Sequence, residues 1–162
     1  LFRSVPGKAI ECVIFDGLTP AADDDEIAQA IWDSKPSGSE TYGGTSGTAT
    51  DATDTTRTMN FSRATVKNVY LEFDVTVDAA LFPSGGATLV KEAAVAKGDT
   101  LNLGEDVIAL VLRATALAVT GVKDVTALRS GFTASPVGTA NLTITGREIA
   151  NFDTSRIVVN VT

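Results

Sequence analysis

The side chains available for chemistry here are chiefly carboxylates, hydroxyls and one thiol, Cys12, because the chain contains no histidine. Without an imidazole, Ser-His-Asp and Cys-His nucleophile systems and the usual histidine-containing zinc sites are excluded. Glu72 and Asp74 alternate on one face of the run VYLEFDVTV. Such spacing suits the paired acid and base of glycosidic hydrolysis when two carboxyls converge to roughly 5 to 10 Å, although a row of this kind is more often a solvated sheet face. The acidic run Asp23-Asp24-Asp25-Glu26 lacks the alternating ligands and central glycine of a calcium loop, so helix capping is the favoured reading. GGTSG at Gly43 to Gly47 has no Lys-Ser or Lys-Thr after it and no apolar strand leading through it into a helix, and it reads as a turn. Cys12 sits in the alternating run AIECVIF with no basic neighbour closer than Lys8, which makes it a small core residue and not a reactive thiol. The expectation is a protein that is not an enzyme, with no catalytic residues, no cofactor and no metal.

The elements that must carry these residues read as α+β. A strand is expected at about Ala9 to Phe15, and then, past the loop DGLTPAAD, a helix capped by Asp23 or Asp24 with Ile27, Ala30 and Ile31 as its apolar stripe and Pro36 as its stop. The Ser/Thr/Gly-rich run from Ser37 leads into TRTMNF, so a β-hairpin turning at Asp51 to Asp54 is favoured over a linker. Lys67 to Asp78 is the clearest strand, with Val69, Leu71, Phe73, Val75 and Val77 facing one way and Tyr70, Glu72, Asp74, Thr76 and Asp78 the other. A short, weak helix follows at Thr88 to Ala96. A stronger one is expected to open at Leu103-Gly104-Glu105-Asp106 and reach about Thr120, with Gly121 at its C′ position. Val107, Ile108, Leu110, Val111, Leu112, Leu117 and Val119 surround it, so it should be buried on several sides, with Arg113 as its wet position. Strands at Val122 to Leu128, Asn141 to Thr145 and Ile157 to Val161 complete the order βαβββααβββ. The fold class is therefore a mixed or antiparallel sheet with about three helices packed on it, including one β-hairpin.

Composition bounds the partners. At 162 residues, 44% hydrophobic and 20% charged, one globular domain spanning 1–162 is expected. Twenty acidic against thirteen basic residues leave a net charge of −7, which opposes binding to nucleic acid or to anionic lipid. A single cysteine permits no intrachain disulfide. The longest apolar region, Val107 to Val122, is broken by Arg113, Thr115, Thr120 and Gly121, so no membrane span is expected. The opening LFRSVPGKA has no initiator methionine and reads neither as a signal peptide nor as a natural amino terminus, and the chain is expected to be a fragment. No internal repeat at solenoid periods occurs.

Read in order, VPGKAIECVIFDG, DDEIAQAIWDSKPSGSETYG, MNFSRAT, VYLEFDVTV and LGEDVIALVLRATALAVTGVKDV span nearly the whole chain. In this order the chain resembles the baseplate J-like family of contractile phage tails. That family's carboxy-terminal region runs helix, K-P-x-G turn, T-Y-G step, hairpin ending in F-x-R, aromatic-led strand, L-G-x-x-V and a final G-V-x-D-V. Phe61-Ser62-Arg63 and Gly121-Val122-Lys123-Asp124-Val125 match that pattern. Val66-Lys67-Asn68 departs from it, since proline usually precedes the aromatic-led strand, and the first helix after that strand is normally longer.

The resemblance implies the carboxy-terminal domain of a longer structural wedge subunit, joining neighbouring subunits in the baseplate ring. It places the protein in the virion tail baseplate, assembled in the host bacterial cytoplasm, with other copies of itself and other wedge proteins as partners and a homo-oligomer as one state. Candidate interface residues are Val107, Leu110, Val111 and Leu117 on the apolar helix, and Trp32 and Tyr42 beside the KPSG turn. The two aromatics serve equally as a contact surface or as an anchor pinning helix to sheet. The alternative function is a carbohydrate- or receptor-binding domain of a phage tail or surface protein; a hydrolase using Asp or Glu alone is the third.

Overall fold

A computed structural model describes residues 2–5, 9–18 and 23–162. The chain divides into two compact units, Leu1–Thr65 and Val66–Thr162, where length alone suggests one domain. The buried residues divide in the same way, one cluster being built around Phe61 and the other around Phe73.

In the first unit, β1 (Phe2–Val5) pairs antiparallel with β2 (Ala9–Ile14). Helix α1 (Asp24–Ser34) follows, then β3 (Glu40–Tyr42), β4 (Thr45–Thr50) and β5 (Thr56–Arg63). β2 runs parallel to β3 at Ala9–Glu11 and parallel to β5 at Val13–Ile14. The expected hairpin is β4–β5, in register from Thr45↔Phe61 to Thr50↔Thr56. Asp51 builds its turn by accepting from the Thr53 and Thr55 backbone N–H groups and the Thr53 hydroxyl, and it pairs with Arg57 at 3.1 Å. Positions 6–8 of VPGKA and 19–22 of the loop DGLTPAAD lie outside the described residues.

Helix α1 starts where expected, with the Asp23 carboxylate accepting from the Asp25 N–H at 2.8 Å. Its buried face is Ile27, Ala28 and Ile31, while Ala30 is exposed. Positions i, i+1 and i+4 share one helix face, and i+3 from Ile27 falls on its margin. The face lies on β4 at Gly47, where a Cβ would strike the Asp24 carbonyl oxygen. GGTSG is thus a point of close backbone approach as well as a route into β4.

The second unit contains all but the first residue of β6 (Thr65–Asn68), then β7 (Tyr70–Val77), α2 (Gly86–Gly98), α3 (Ala109–Leu117), β8 (Val122–Gly131), β9 (Glu148–Asn151), a 3-10 turn at Thr154–Arg156 and β10 (Ile157–Val161). β7 is the central strand, antiparallel to β8 and parallel to β10, while β6 pairs with β9. Leu71, Phe73 and Val75 of β7 are buried against Val90 and Ala94 of α2 and Leu112 and Ala116 of α3, so both helices cover one sheet face. The α+β expectation, with about three helices packed on mixed sheets, therefore holds.

Several expectations are corrected here. Helix α2 is longer than the weak helix read at Thr88 to Ala96. Its buried stripe, Gly86, Val90, Ala94 and Gly98, is made of small residues that give a faint apolar signal, and Gly98 lies directly under the Phe152 ring. Asn141 to Thr145 is not a strand, because its polar groups serve the start of α3. Leu142 bridges Val107, the Asn141 carboxamide accepts from the Ala109 N–H at 3.0 Å, and the Ile144 N–H donates to Asp106 at 2.8 Å. Those same bonds hold residues 106–108 extended, so α3 begins at Ala109 and not near Glu105. It ends at Leu117, with Ala118 as its C-cap. Gly121 is therefore not C′, yet its φ of 84° and its approach to the Phe82 backbone require glycine there.

Candidate assembly interface

Helix α3 exposes what its composition suggests it should bury. Leu112 and Ala116 enter the core, whereas Leu110 is 75% exposed, Leu117 44% and Val111 37%. Ala114 and Ala118 are exposed as well. Positions 110, 111, 114, 117 and 118 recur at i, i+1, i+4, i+7 and i+8, which is one continuous apolar stripe along the nine-residue helix and its C-cap. Arg113, expected as the wet position, is half-buried at the stripe's flank.

Beside the start of α3 lies a pocket of about 70 Å³ with apolar walls from Leu101, Ile108, Val111 and Leu112 and charged groups from Lys97, Glu105 and Asp106. The Asn102 backbone N–H, and next its side-chain amide, donate to the Glu105 carboxylate and hold its pKa below the usual range. Glu105 therefore places an ionised carboxylate at the rim of this apolar pocket. Val107, taken as a candidate contact, is instead a core residue at 2% exposure, fixed by its reciprocal backbone bonds with Leu142.

The candidates in the first unit separate. Trp32 packs partly against the Phe61 cluster and carries the Lys35 ammonium 4.8 Å from its ring centroid, with the Arg57 guanidinium at 6.0 Å. It lines an open cleft of about 370 Å³ with Glu40, Thr41, Thr58 and Asn60. Tyr42 is half exposed and is not among the residues lining that cleft. Trp32 thus both packs on the core edge and faces an open cleft, with two cations near its ring.

The carboxylate pair is tied up in a bridge across the face of β7 opposite its buried Leu71, Phe73 and Val75. Arg129 of β8 meets Glu72 at 3.0 Å and Asp74 at 2.7 Å, and the Asn160 amide of β10 donates to the same two carboxylates at 3.1 and 2.7 Å. Asn160, and after it Arg129, push the Asp74 pKa down, whereas a general acid needs its pKa raised. Cys12 is buried, and burial raises its pKa, as suits a core thiol. Among the described residues no cluster of three or more Asp, Glu or Cys is placed to hold a metal, and no helix is long and apolar enough to cross a membrane.

Sequence reasoning missed the side-chain ladder along the β4 edge. Asp25 accepts from the Thr48 N–H at 2.7 Å, Gln29 accepts from the Thr50 N–H at 2.8 Å, and Gln29 donates to Asp33 at 3.1 Å. The signal was present as polar residues at i, i+4 and i+8 on α1, a rise per turn that roughly matches every second residue of a strand.

The chain matches no protein-family model and no curated protein.

Proposed function

We propose that this chain is a structural subunit of the baseplate of a contractile phage tail or related injection device, joining neighbouring subunits through surfaces and carrying out no catalysis. The observation that carries this reading is the uncovered apolar stripe of α3. A run of Leu, Val and Ala on a chain of net charge −7 is a contact surface awaiting a partner. The ordered motifs from KPSG through Phe61-Ser62-Arg63 to Gly121-Val122-Lys123-Asp124-Val125 supply the type of assembly. Phe61 is buried in the first unit's core, and Arg63 clasps Asp16 at 2.8 Å and Asp24 at 2.7 Å. The F-x-R residues of the resemblance are thus structural ones. The proposed location is the virion tail baseplate, assembled in the host bacterial cytoplasm.

Gold-labelled antibody against this chain, applied to purified contractile particles and viewed by negative-stain electron microscopy, tests the proposal. Label at the baseplate end is the expected result; label confined to fibres, or none on particles, overturns it. The carbohydrate-binding alternative is tested by glycan titration, where quenching of Trp32 fluorescence by a saccharide would favour it over the baseplate role.

A further inference from the structure

The β4–β5 hairpin has two outer edges, and only one of them is covered along its length. On β4, Asp25 and Gln29 accept from the outward N–H groups of Thr48 and Thr50. The outer edge of β5 is met by β2 at Ser62 and Arg63 and by the Thr41 hydroxyl, which accepts from the Asn60 N–H at 2.9 Å. Backbone groups of an antiparallel strand alternate in direction, so the Thr58 N–H and C=O point the same way as those of Asn60, away from β4. β3 pairs with β2 and not with β5, and among the described residues no group bonds to the outward N–H or C=O of Thr58. Beside them lies the open cleft of about 370 Å³, whose walls include Thr58, Trp32, Lys35 and Glu40. Lys35 gives one N–H to the Ser39 carbonyl oxygen at 3.1 Å and Glu40 is exposed. Neither makes an ion pair among the described residues.

We propose that this cleft accepts an extended segment of a partner polypeptide, which adds to the free edge of β5 through backbone hydrogen bonds to Thr58 and carries one acidic and one basic side chain to face Lys35 and Glu40. Strand addition draws affinity from main-chain bonds and its choice of partner from alternate side chains. The pair of opposite charges favours a polypeptide over a saccharide, because a sugar acid supplies a partner for Lys35 and leaves Glu40 facing a like charge. An open strand edge is a hazard that chains ordinarily block, and this hairpin blocks the β4 side with Asp25 and Gln29 while the β5 side at Thr58 stays open onto the cleft. The cleft belongs to the first unit and α3 to the second, so this contact is additional to the α3 stripe.

The probe is the peptide acetyl-Thr-Val-Glu-Val-Lys-Val-Thr-amide, in which Glu and Lys share one strand face. It is titrated into the full chain with Trp32 emission as the signal, since Trp32 is the sole tryptophan. The emission should change saturably. At saturation, amide exchange at Thr58 should slow about tenfold or more, while Arg57 and Met59, whose amides face β4, keep the protection they have in the free chain. The same peptide with its backbone amides N-methylated should bind at least about tenfold more weakly. Thr58→Pro removes only an outward N–H, so it should stay folded by circular dichroism and lose the peptide; the N-methylated peptide carries the test if that variant unfolds. Lys35→Gln and Glu40→Gln should each weaken binding roughly two- to fivefold. Equal binding of the N-methylated peptide, or binding that leaves Thr58 unprotected, overturns strand addition, and unchanged affinity in both Gln variants overturns the charge pairing. No binding at millimolar peptide overturns the polypeptide occupant, as does saturable quenching of Trp32 by oligogalacturonate in its place, which would make the cleft a saccharide site.

Discussion

Leu110 and Leu112 stand two positions apart on α3 and carry opposite expectations, because only Leu112 enters the core. Leu112→Ala should cost about 2 to 5 kcal/mol of unfolding free energy, and Leu110→Ala should lie within about 0.5 kcal/mol of wild type, both measured by urea denaturation. Gly47→Ala should destabilise by about 1 to 3 kcal/mol in the same assay, since its Cβ would strike the Asp24 carbonyl oxygen. The carboxylates whose pKa values are depressed, Asp51 by its bonds to Thr53 and Thr55 and Asp74 by Asn160 and Arg129, bind fewer protons folded than unfolded. Their stabilisation is complete above the unfolded carboxyl range near about pH 4 and is lost as pH falls through the lower folded values. With no histidine to titrate, the melting temperature should be flat from about pH 6 to 8 and fall steeply below about pH 4. At this scale the sequence indicated that Leu110 and Val111 were apolar, but not that Arg113 would be the more covered residue. Helix phase relative to the core is set by where α3 begins, and that depends on Asn141, Leu142 and Ile144, far along the chain.

Among the elements, α1 and β4 are joined by the Asp25 and Gln29 ladder, which covers part of a sheet edge with side chains in place of a strand. Gln29→Ala removes the acceptor for the Thr50 N–H, so amide exchange at Thr50 should accelerate severalfold while Met59, inside the β4–β5 pairing, keeps its protection. Uniform acceleration across the hairpin would show that the ladder holds the whole pair. Period-two alternation made β7 legible to within a few residues, and the Asp23 cap and Pro36 marked α1. β9 and the parallel pairing of β10 with β7 were not legible, since pairing such as Ile157↔Leu71 joins residues too distant for local pattern to report. The stripe Gly86, Val90, Ala94 and Gly98 shows the converse case: small residues packed under Phe152 carry a core face with little hydrophobic contrast.

For the whole molecule, the α+β class follows from the alternation of element periods, while the division into Leu1–Thr65 and Val66–Thr162 does not, because no Pro/Gly-rich linker marks it. Each unit has its own buried cluster, and on the second a helix is left with one apolar face uncovered. The proposed baseplate role gives that face its purpose. The most direct test places a photo-crosslinking amino acid at Leu110 in intact contractile particles, with Thr53 on the exposed hairpin turn as control, and identifies the products by mass spectrometry. The account predicts crosslinks from position 110 to a baseplate subunit, this chain included, and few from position 53; particles that incorporate the chain yet give no crosslink at 110 would contradict it.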